Sequence, residues 1–295
     1  MYTTLINVEQ LKMLQASGQP LMLFDCSFEL MKPEQGQQQY LRAHIPGAQR
    51  ADLDLHLSAK DQAHAAGSHK TPPVAASGGR HPLPAREHFA AWLASLGFSA
   101  DMQAVVYDRQ NSNYCGRLWW MLKWVGHKAV AVLDGGLPDW EVADGELASG
   151  PQAPRPATRF AAGRPLAALS SSAQVLAQLG RPAQTLLDAR AAPRFRGEVE
   201  PLDPVAGHIP GALNRPFSLN FDADGKFKSA AQLRAEYQQL LAGRDPATVV
   251  HLCGSGVSAV PNLLAMEIAG LGRAALYAGS WSEWCSDPSR PMAQG

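Results

Sequence analysis

The sequence predicts an α/β fold made of two tandem domains, each with a mainly parallel sheet flanked by helices. Three short blocks occur twice in the same order, which indicates a duplicated domain. The blocks are AHIPGA, AVVYDRQNS and VLDGGLPDW at 43–48, 104–112 and 132–140, and GHIPGA, TVVHLCGSG and LYAGSWSEW at 207–212, 248–256 and 276–284. A chain of 295 residues is long enough for two domains of ordinary size.

Strand-like and helix-like segments alternate in both halves. Apolar runs at 21–27 and 185–190, and β-branched runs at 104–108 and 248–253, are typical of buried strands. Apolar residues with helical spacing are Phe89, Trp92, Leu93 and Leu96, and Leu233, Tyr237, Leu240 and Leu241. This alternation favours a parallel sheet covered on both faces, with ligands bound beyond the carboxyl ends of the strands.

The boundary between the halves is predicted from composition. Residues 150–165 are rich in Pro, Gly and Ala and have no apolar periodicity. We therefore expect an N-terminal domain at 1–149, a linker at 150–168 and a C-terminal domain at 169–295.

Charge and composition exclude several classes of partner. The 26 Lys and Arg residues are balanced by 26 Asp and Glu residues, whereas nucleic acids and anionic membranes need clustered basic groups. No apolar stretch approaches the length of a membrane span, and the first residues lack the pattern of a signal peptide. We expect a cytoplasmic protein that binds neither nucleic acid nor membrane.

The four cysteines are Cys26, Cys115, Cys253 and Cys285. They are far apart and form no CxxC pair, so the ligand spacing of a zinc site is absent. We expect neither a metal nor an organic cofactor. A free cysteine is most often a small buried residue, and a functional role needs a second signal.

That signal is the loop CGSGVS at 253–258, which follows a predicted strand and precedes an apolar helix. Gly254 and Gly256 allow a tight turn. Successive N–H groups in such a turn, together with the positive end of the helix, can surround an anion. Cys253 is therefore the predicted nucleophile. The matching residue in the first half is Asp108, which has no sulfur.

These features resemble the tandem-domain rhodanese superfamily, and within it the 3-mercaptopyruvate sulfurtransferase type. The resemblance covers nearly the whole chain. It is carried by CGSGVS, by the paired HIPGA boxes, by DARAAPRFRGEVEP at 188–201, and by the paired DGGLPDW and AGSWSEW blocks. It implies two rhodanese-like domains, of which the first is catalytically silent and the second contains the cysteine.

The resemblance also implies a reaction. Sulfur would pass from 3-mercaptopyruvate through a Cys253 persulfide to cyanide or to a thiol such as thioredoxin or a small reductant, with release of pyruvate. Relatives that prefer thiosulfate, a dianion, carry basic side chains after the cysteine, whereas this chain has Gly-Ser-Gly. We expect Gly254, Gly256, Val257 and Ser258 to contact the substrate.

A proton relay is expected by resemblance from Ser255, His81 and Asp54. A hydroxyl linked through a histidine to a carboxylate can polarise the ketone and protonate the pyruvate enolate. His56, His64 and His69 lie nearby in the sequence and are the alternatives to His81 for this role.

Arg194 occupies, by resemblance, the position that binds the substrate carboxylate, for which a planar guanidinium is suited. Arg196 is its competitor, and Arg190 is expected to brace the site through Asp188. Many family members carry a second substrate arginine shortly after the Glu-Pro pair. This chain has Leu-Asp-Pro at 202–204 instead.

Three other functions fit part of the pattern. The first is a thiosulfate:cyanide sulfurtransferase, and the second is a persulfide carrier without enzymatic activity. The third is a cysteine phosphatase, which needs an arginine after five intervening residues. This chain has Ala259 there, which argues against a phosphatase.

Overall fold

The computed structural model describes residues 1–60 and 75–295, which form two compact units. The first unit comprises Met1–Ala76, Leu83–Leu166 and Asp224–Lys226, and the second comprises Ser77–Pro82, Ala167–Ala223 and Phe227–Gly295. Each unit therefore includes a short segment from the opposite half of the sequence.

Within the described residues, each unit has one five-stranded parallel sheet. The first contains β1 (Leu5–Ile6), β2 (Leu21–Asp25), β3 (Gln49–Arg50), β4 (Gln103–Tyr107) and β5 (Val130–Leu133), in the order β1-β5-β4-β2-β3. The second contains β6 (Ala168–Leu169), β7 (Thr185–Asp188), β8 (Leu213–Asn214), β9 (Val249–Leu252) and β10 (Ala275–Leu276), in the order β6-β10-β9-β7-β8. The two orders are the same, which confirms the predicted fold class.

Helices connect the strands in both units. The first unit contains α1 (Val8–Ala16), α2 (Glu34–Arg42), α3 (Arg86–Ser95), α4 (Cys115–Trp124) and α5 (Gly136–Val142). The second contains α6 (Ser172–Ala177), α7 (Ala192–Phe195), α8 (Ala230–Leu241), α9 (Val260–Ile268) and α10 (Ser280–Trp284). Asn7 and Ser171 begin α1 and α6 with the same capping box, in which each side chain accepts the N–H three residues later.

The two HIPGA histidines have structural roles. His44 Nδ1 lies 2.8 Å from the carbonyl oxygen of Tyr40, and its ring stacks on that tyrosine. His208 Nδ1 lies 2.9 Å from the carbonyl oxygen of Phe195 and stacks on that ring. Because each ring is tied to its own unit in the same way, the repeated box serves the fold of each unit.

The central strand β9 positions the candidate site. It pairs with β7 on one side and β10 on the other, and all four of its residues are buried. The turn that follows β9 therefore lies at the carboxyl edge of the sheet, between two neighbouring strands, where parallel sheets bind ligands.

His251 in β9 makes stability depend on pH. The side chain is fully buried, neither ring nitrogen has a hydrogen-bond partner within the described residues, and burial lowers its pKa to about 3. In the unfolded chain a histidine titrates near 6.5, so below that pH the unfolded state binds the extra proton. We expect the free energy of unfolding to fall by about 2 kcal/mol between pH 7 and pH 5 from this residue alone.

Urea unfolding at both pH values measures this effect. The variant His251→Leu should lose that part of the pH dependence, whereas His88→Leu, at an exposed position of α3, should keep it. An equal pH slope in wild type and His251→Leu would contradict the assignment.

Candidate active site

Cys253 follows β9 directly and begins the turn that leads to α9. Its N–H donates to Ser280 Oγ at 3.0 Å, and its carbonyl oxygen accepts the N–H of Trp281 at 3.0 Å. The residue exposes only 2% of its surface. The thiol is therefore attached to a fixed backbone and has little contact with solvent.

Four backbone N–H groups of this turn have no acceptor among the described residues. Within the described residues, those of Gly254, Ser255, Val257 and Ser258 donate no hydrogen bond, although Cys253 to Val257 are buried. Buried N–H groups are almost always paired, so several unpaired ones in one turn are suited to donate hydrogen bonds to an anion.

The conformation of the turn depends on Gly256. Its φ is +74°, and an added Cβ would lie 2.1 Å from the carbonyl oxygen of Ala278. Any larger residue would move the turn. Helix α9 then follows with Ala259 as its N-cap, and no side chain of the described residues caps it.

The first unit contains the same kind of turn with an anion already in it. Asp108 follows β4, and its Oδ1 accepts the N–H groups of Gln110 and Ser112 at 2.9 and 3.0 Å. Its Oδ2 accepts those of Tyr114 and Cys115, both at 2.8 Å. The carboxylate thus occupies a nest of four backbone donors.

Asp108 and Cys253 are equivalent positions of the two units. The N–H of Leu137 donates to the carbonyl oxygen of Asp108, as that of Trp281 does to the carbonyl oxygen of Cys253. Burial raises the pKa of Asp108, and the surrounding N–H groups act in the opposite direction. In the second unit the equivalent turn begins with Cys253, which has no carboxylate.

His81 and Ser255 are in contact. His81 Nδ1 lies 2.8 Å from Ser255 Oγ, and both residues are buried. His81 belongs to the segment Ser77–Pro82, which packs in the second unit although it comes from the first half of the sequence. The Arg80 N–H fixes this segment by donating to Ser282 Oγ at 3.0 Å.

The third predicted relay residue, Asp54, belongs to the first unit, where its Oδ1 lies 2.5 Å from Lys60 Nζ. Its role in the relay stays a prediction. Desolvation lowers the pKa of His56 to about 4, which keeps that ring neutral. His64 and His69 lie outside the described residues.

The arginines expected near the substrate differ in surroundings. Arg194, on α7, pairs with Glu200 at 2.6 Å, and its Nη1 lies 3.5 Å from the position of a Cβ built on Gly254. Arg196 pairs with Glu198, and both side chains are exposed. Arg194 is therefore next to the cysteine turn, whereas Arg196 is bound at the surface.

Arg190 braces the site. Its Nη2 lies 2.8 Å from Asp188 Oδ2, and its Nη1 lies 3.5 Å from Glu200 Oε2. Burial alone would lower the pKa of Arg190, but the negative charges of Asp188, Glu200 and the Cys253 thiolate raise it.

Two site residues were missed by the sequence analysis. Arg80 pairs with Asp203, close to Gly254. Ser280, which holds the Cys253 N–H, has a φ of +53°, a conformation usual for glycine. The repeat carried a signal for Ser280, since the first unit has Gly136 at that place, with a φ of +61°.

The described ranges contain no group of three His, Cys, Asp or Glu side chains placed to hold a metal ion. Within the same ranges, no helix has both the length and the apolar character that crossing a bilayer requires.

Each unit, with its five-stranded parallel sheet, matches a known type of domain. The Rhodanese-like domain matches residues 7–143 and 171–287, so the chain belongs to the rhodanese family and contains two copies of its domain.

Several relatives that match nearly the full length of this chain are named as sulfurtransferases. A probable 3-mercaptopyruvate sulfurtransferase of Pseudomonas aeruginosa is 46% identical over 93% of this chain and 93% of its own length. A putative thiosulfate sulfurtransferase, SseB of Mycobacterium tuberculosis, is 37% identical over 99% of this chain and 97% of its own length. The solved structure of SseA from Escherichia coli, described among 3-mercaptopyruvate sulfotransferases, covers 95% of this chain and 100% of its own, with 31% identity and a TM-score of 0.75.

Proposed function

We propose that this protein is a sulfurtransferase that takes sulfur from 3-mercaptopyruvate as a persulfide on Cys253. The observation that carries the proposal is the 2.8 Å contact between His81 Nδ1 and Ser255 Oγ in the turn that begins with Cys253. A hydroxyl backed by a histidine can deliver a proton, and 3-mercaptopyruvate is the donor whose reaction needs one.

In the first step the Cys253 thiolate attacks the sulfur of the donor. The new S–S bond forms as the carbon–sulfur bond breaks, and the electron pair of the broken bond moves to the departing carbon as the enolate of pyruvate. The free N–H groups of Gly254, Ser255, Val257 and Ser258 would stabilise the anionic persulfide.

In the second step the enolate takes a proton. Ser255 gives its hydroxyl proton to the carbon and recovers one from His81, in the role that a positioned acid plays in proton transfer. Asp54 is proposed as the carboxylate that orients His81. Arg194, whose guanidinium lies beside Gly254, would bind the donor carboxylate.

The persulfide then passes its outer sulfur to a thiolate, which restores the Cys253 thiolate. We propose thioredoxin or a small reductant as the acceptor, with cyanide as an alternative. Such acceptors are available in the cytoplasm, which we propose as the compartment. All four cysteines are free in the structure, which fits a compartment that keeps thiols reduced.

We propose that the first domain, predicted at 1–149, is catalytically silent and that activity belongs to the domain at 169–295, with 150–168 as the linker. The support is chemical, because Asp108 fills the nest of the first unit with a carboxylate that is no sulfur nucleophile. The anion site of that unit is therefore closed to a donor.

Steady-state kinetics with both donors tests the proposal. We expect kcat/KM for 3-mercaptopyruvate to exceed that for thiosulfate by at least about tenfold, because the relay assists only the first reaction. A tenfold or greater preference for thiosulfate would make the protein a thiosulfate:cyanide sulfurtransferase, and no turnover of either donor would favour a persulfide carrier.

A further inference from the structure

Two guanidinium groups flank the cysteine turn in the second unit. A Cβ built on Gly254 would lie 3.2 Å from Arg80 Nη2 and 3.5 Å from Arg194 Nη1. Arg194 comes from α7, whereas Arg80 comes from the segment Ser77–Pro82. The two side chains therefore approach the same peptide, one residue after the nucleophile, from separate parts of the chain.

Asp203 holds the two arginines in place. Its carboxylate pairs with Arg80 Nη1 and lies 3.4 Å from Arg194 Nη2, and its side chain is 4% exposed. Burial raises the pKa of Asp203, whereas the two guanidinium groups lower it. Asp203 thus fixes Arg80 through Nη1. Arg194 is held by Asp203 at Nη2 and by Glu200 at Nε and Nη2.

Some nitrogens of both guanidinium groups remain available as hydrogen-bond donors. Within the described residues, Arg80 Nη2 and Nε and Arg194 Nη1 donate no hydrogen bond, and Arg80 Nε is buried. Both side chains are partly accessible, at 24% and 19% exposure. Each arginine can therefore donate hydrogen bonds to a carboxylate placed beside Gly254.

The charges of the cluster favour a ligand with a single negative charge. Arg80, Arg190 and Arg194 are balanced by three carboxylates, those of Asp188, Glu200 and Asp203. The side chains of the cluster therefore carry no surplus positive charge. A monocarboxylate supplied with good N–H donors suits this site better than a dianion.

We propose that Arg80 is a substrate-binding residue that pairs with Arg194 on the donor carboxylate. It would provide the second guanidinium that many family members carry after the Glu-Pro pair, where this chain has Leu202. This inference rests on the proposed use of 3-mercaptopyruvate. Arg80 sets donor affinity and takes no part in breaking the carbon–sulfur bond.

The variant Arg80→Gln tests this role. We expect its KM for 3-mercaptopyruvate to rise by roughly tenfold to a hundredfold, as for the loss of a charged hydrogen-bond pair, with kcat changed less than about threefold. The matched control is Arg196→Gln, which removes an exposed guanidinium bound to Glu198 and should leave both constants unchanged.

A rescue separates binding from a structural effect. The double variant Arg80→Gln with Leu202→Arg returns an arginine to the position after the Glu-Pro pair, and its KM should recover toward that of the wild type. Intact mass at saturating donor should show that Cys253 of Arg80→Gln is fully converted to the persulfide.

The outcomes are distinguishable. If the wild type turns over 3-mercaptopyruvate and Arg80→Gln has an unchanged KM, the inference is wrong while the proposed function stands. A fall in kcat without a change in KM, or incomplete persulfide at saturating donor, would also overturn it. If the wild type does not use 3-mercaptopyruvate, the proposed function fails first.

Discussion

Replacement of Cys253 by serine is expected to abolish sulfur transfer, with a loss of at least about a thousandfold in kcat/KM for any donor. A serine hydroxyl is far less acidic than a thiol and forms no persulfide, although it fits the same space at the head of the turn. After mixing with 3-mercaptopyruvate, the intact mass of the wild type should rise by one sulfur atom, and that of Cys253→Ser should not change.

Cys285→Ser is the matched control, because it removes a buried thiol of the same unit. Burial raises the pKa of Cys285, and it raises those of Cys26 and Cys115 well above the usual range, so these three groups stay protonated. A protonated thiol is a poor nucleophile. Retention of the added sulfur in Cys253→Ser, or its loss in Cys285→Ser, would contradict the assignment of the nucleophile.

The sequence was informative about Cys253 because several local rules agreed there. A β-branched run predicted β9, two glycines predicted the turn, and an apolar run predicted α9. The duplication then added a comparison that a single domain lacks, since Asp108 stands where the second unit has its cysteine. Local patterns of this kind depend on neighbours in the sequence, so they can be read without knowledge of the tertiary fold.

Arg80 could not be found in the same way. The segment that contains it has no periodic pattern, and its packing depends on residues some two hundred positions away, such as Ser282. Gly79 allows this segment to pack closely against Gly279, because an added Cβ would lie 2.5 Å from the carbonyl oxygen of that residue. The missing arginine after Glu200 and Pro201 is therefore evident from the sequence, whereas the proximity of Arg80 to Gly254 is evident only from the structure.

The two equivalent turns show how the backbone N–H groups can bind an anion. In the first unit four N–H groups converge on Asp108, so the backbone of this turn suits an anion even without catalysis. In the second unit, no carboxylate among the described residues accepts the N–H groups of Gly254, Ser255, Val257 and Ser258, and Gly254 has no side chain to fill the space beside them. The two units share a fold. They differ in the first residue of the turn, which is Asp108 in one unit, where its own carboxylate accepts the N–H groups, and Cys253 in the other.

His81→Ala is expected to slow the reaction with 3-mercaptopyruvate by about a hundredfold to ten thousandfold in kcat, the usual contribution of a positioned acid or base. The physical reason is the enolate, which leaves only if it is stabilised and protonated. Thiosulfate releases sulfite, a stable anion that needs no proton. The same variant should therefore retain most of its persulfide formation from thiosulfate, which also serves as a control for folding.

Ser255→Ala tests whether the two residues act as one relay. If Ser255 passes the proton that His81 supplies, either substitution removes the whole path, and the double variant should be no slower than the slower single variant. Kinetics of the three variants with 3-mercaptopyruvate give the coupling directly. Independent, multiplying effects would argue against a relay, and equal losses with both donors would assign His81 to the structure of the turn, because proton delivery is needed for only one of the two leaving groups.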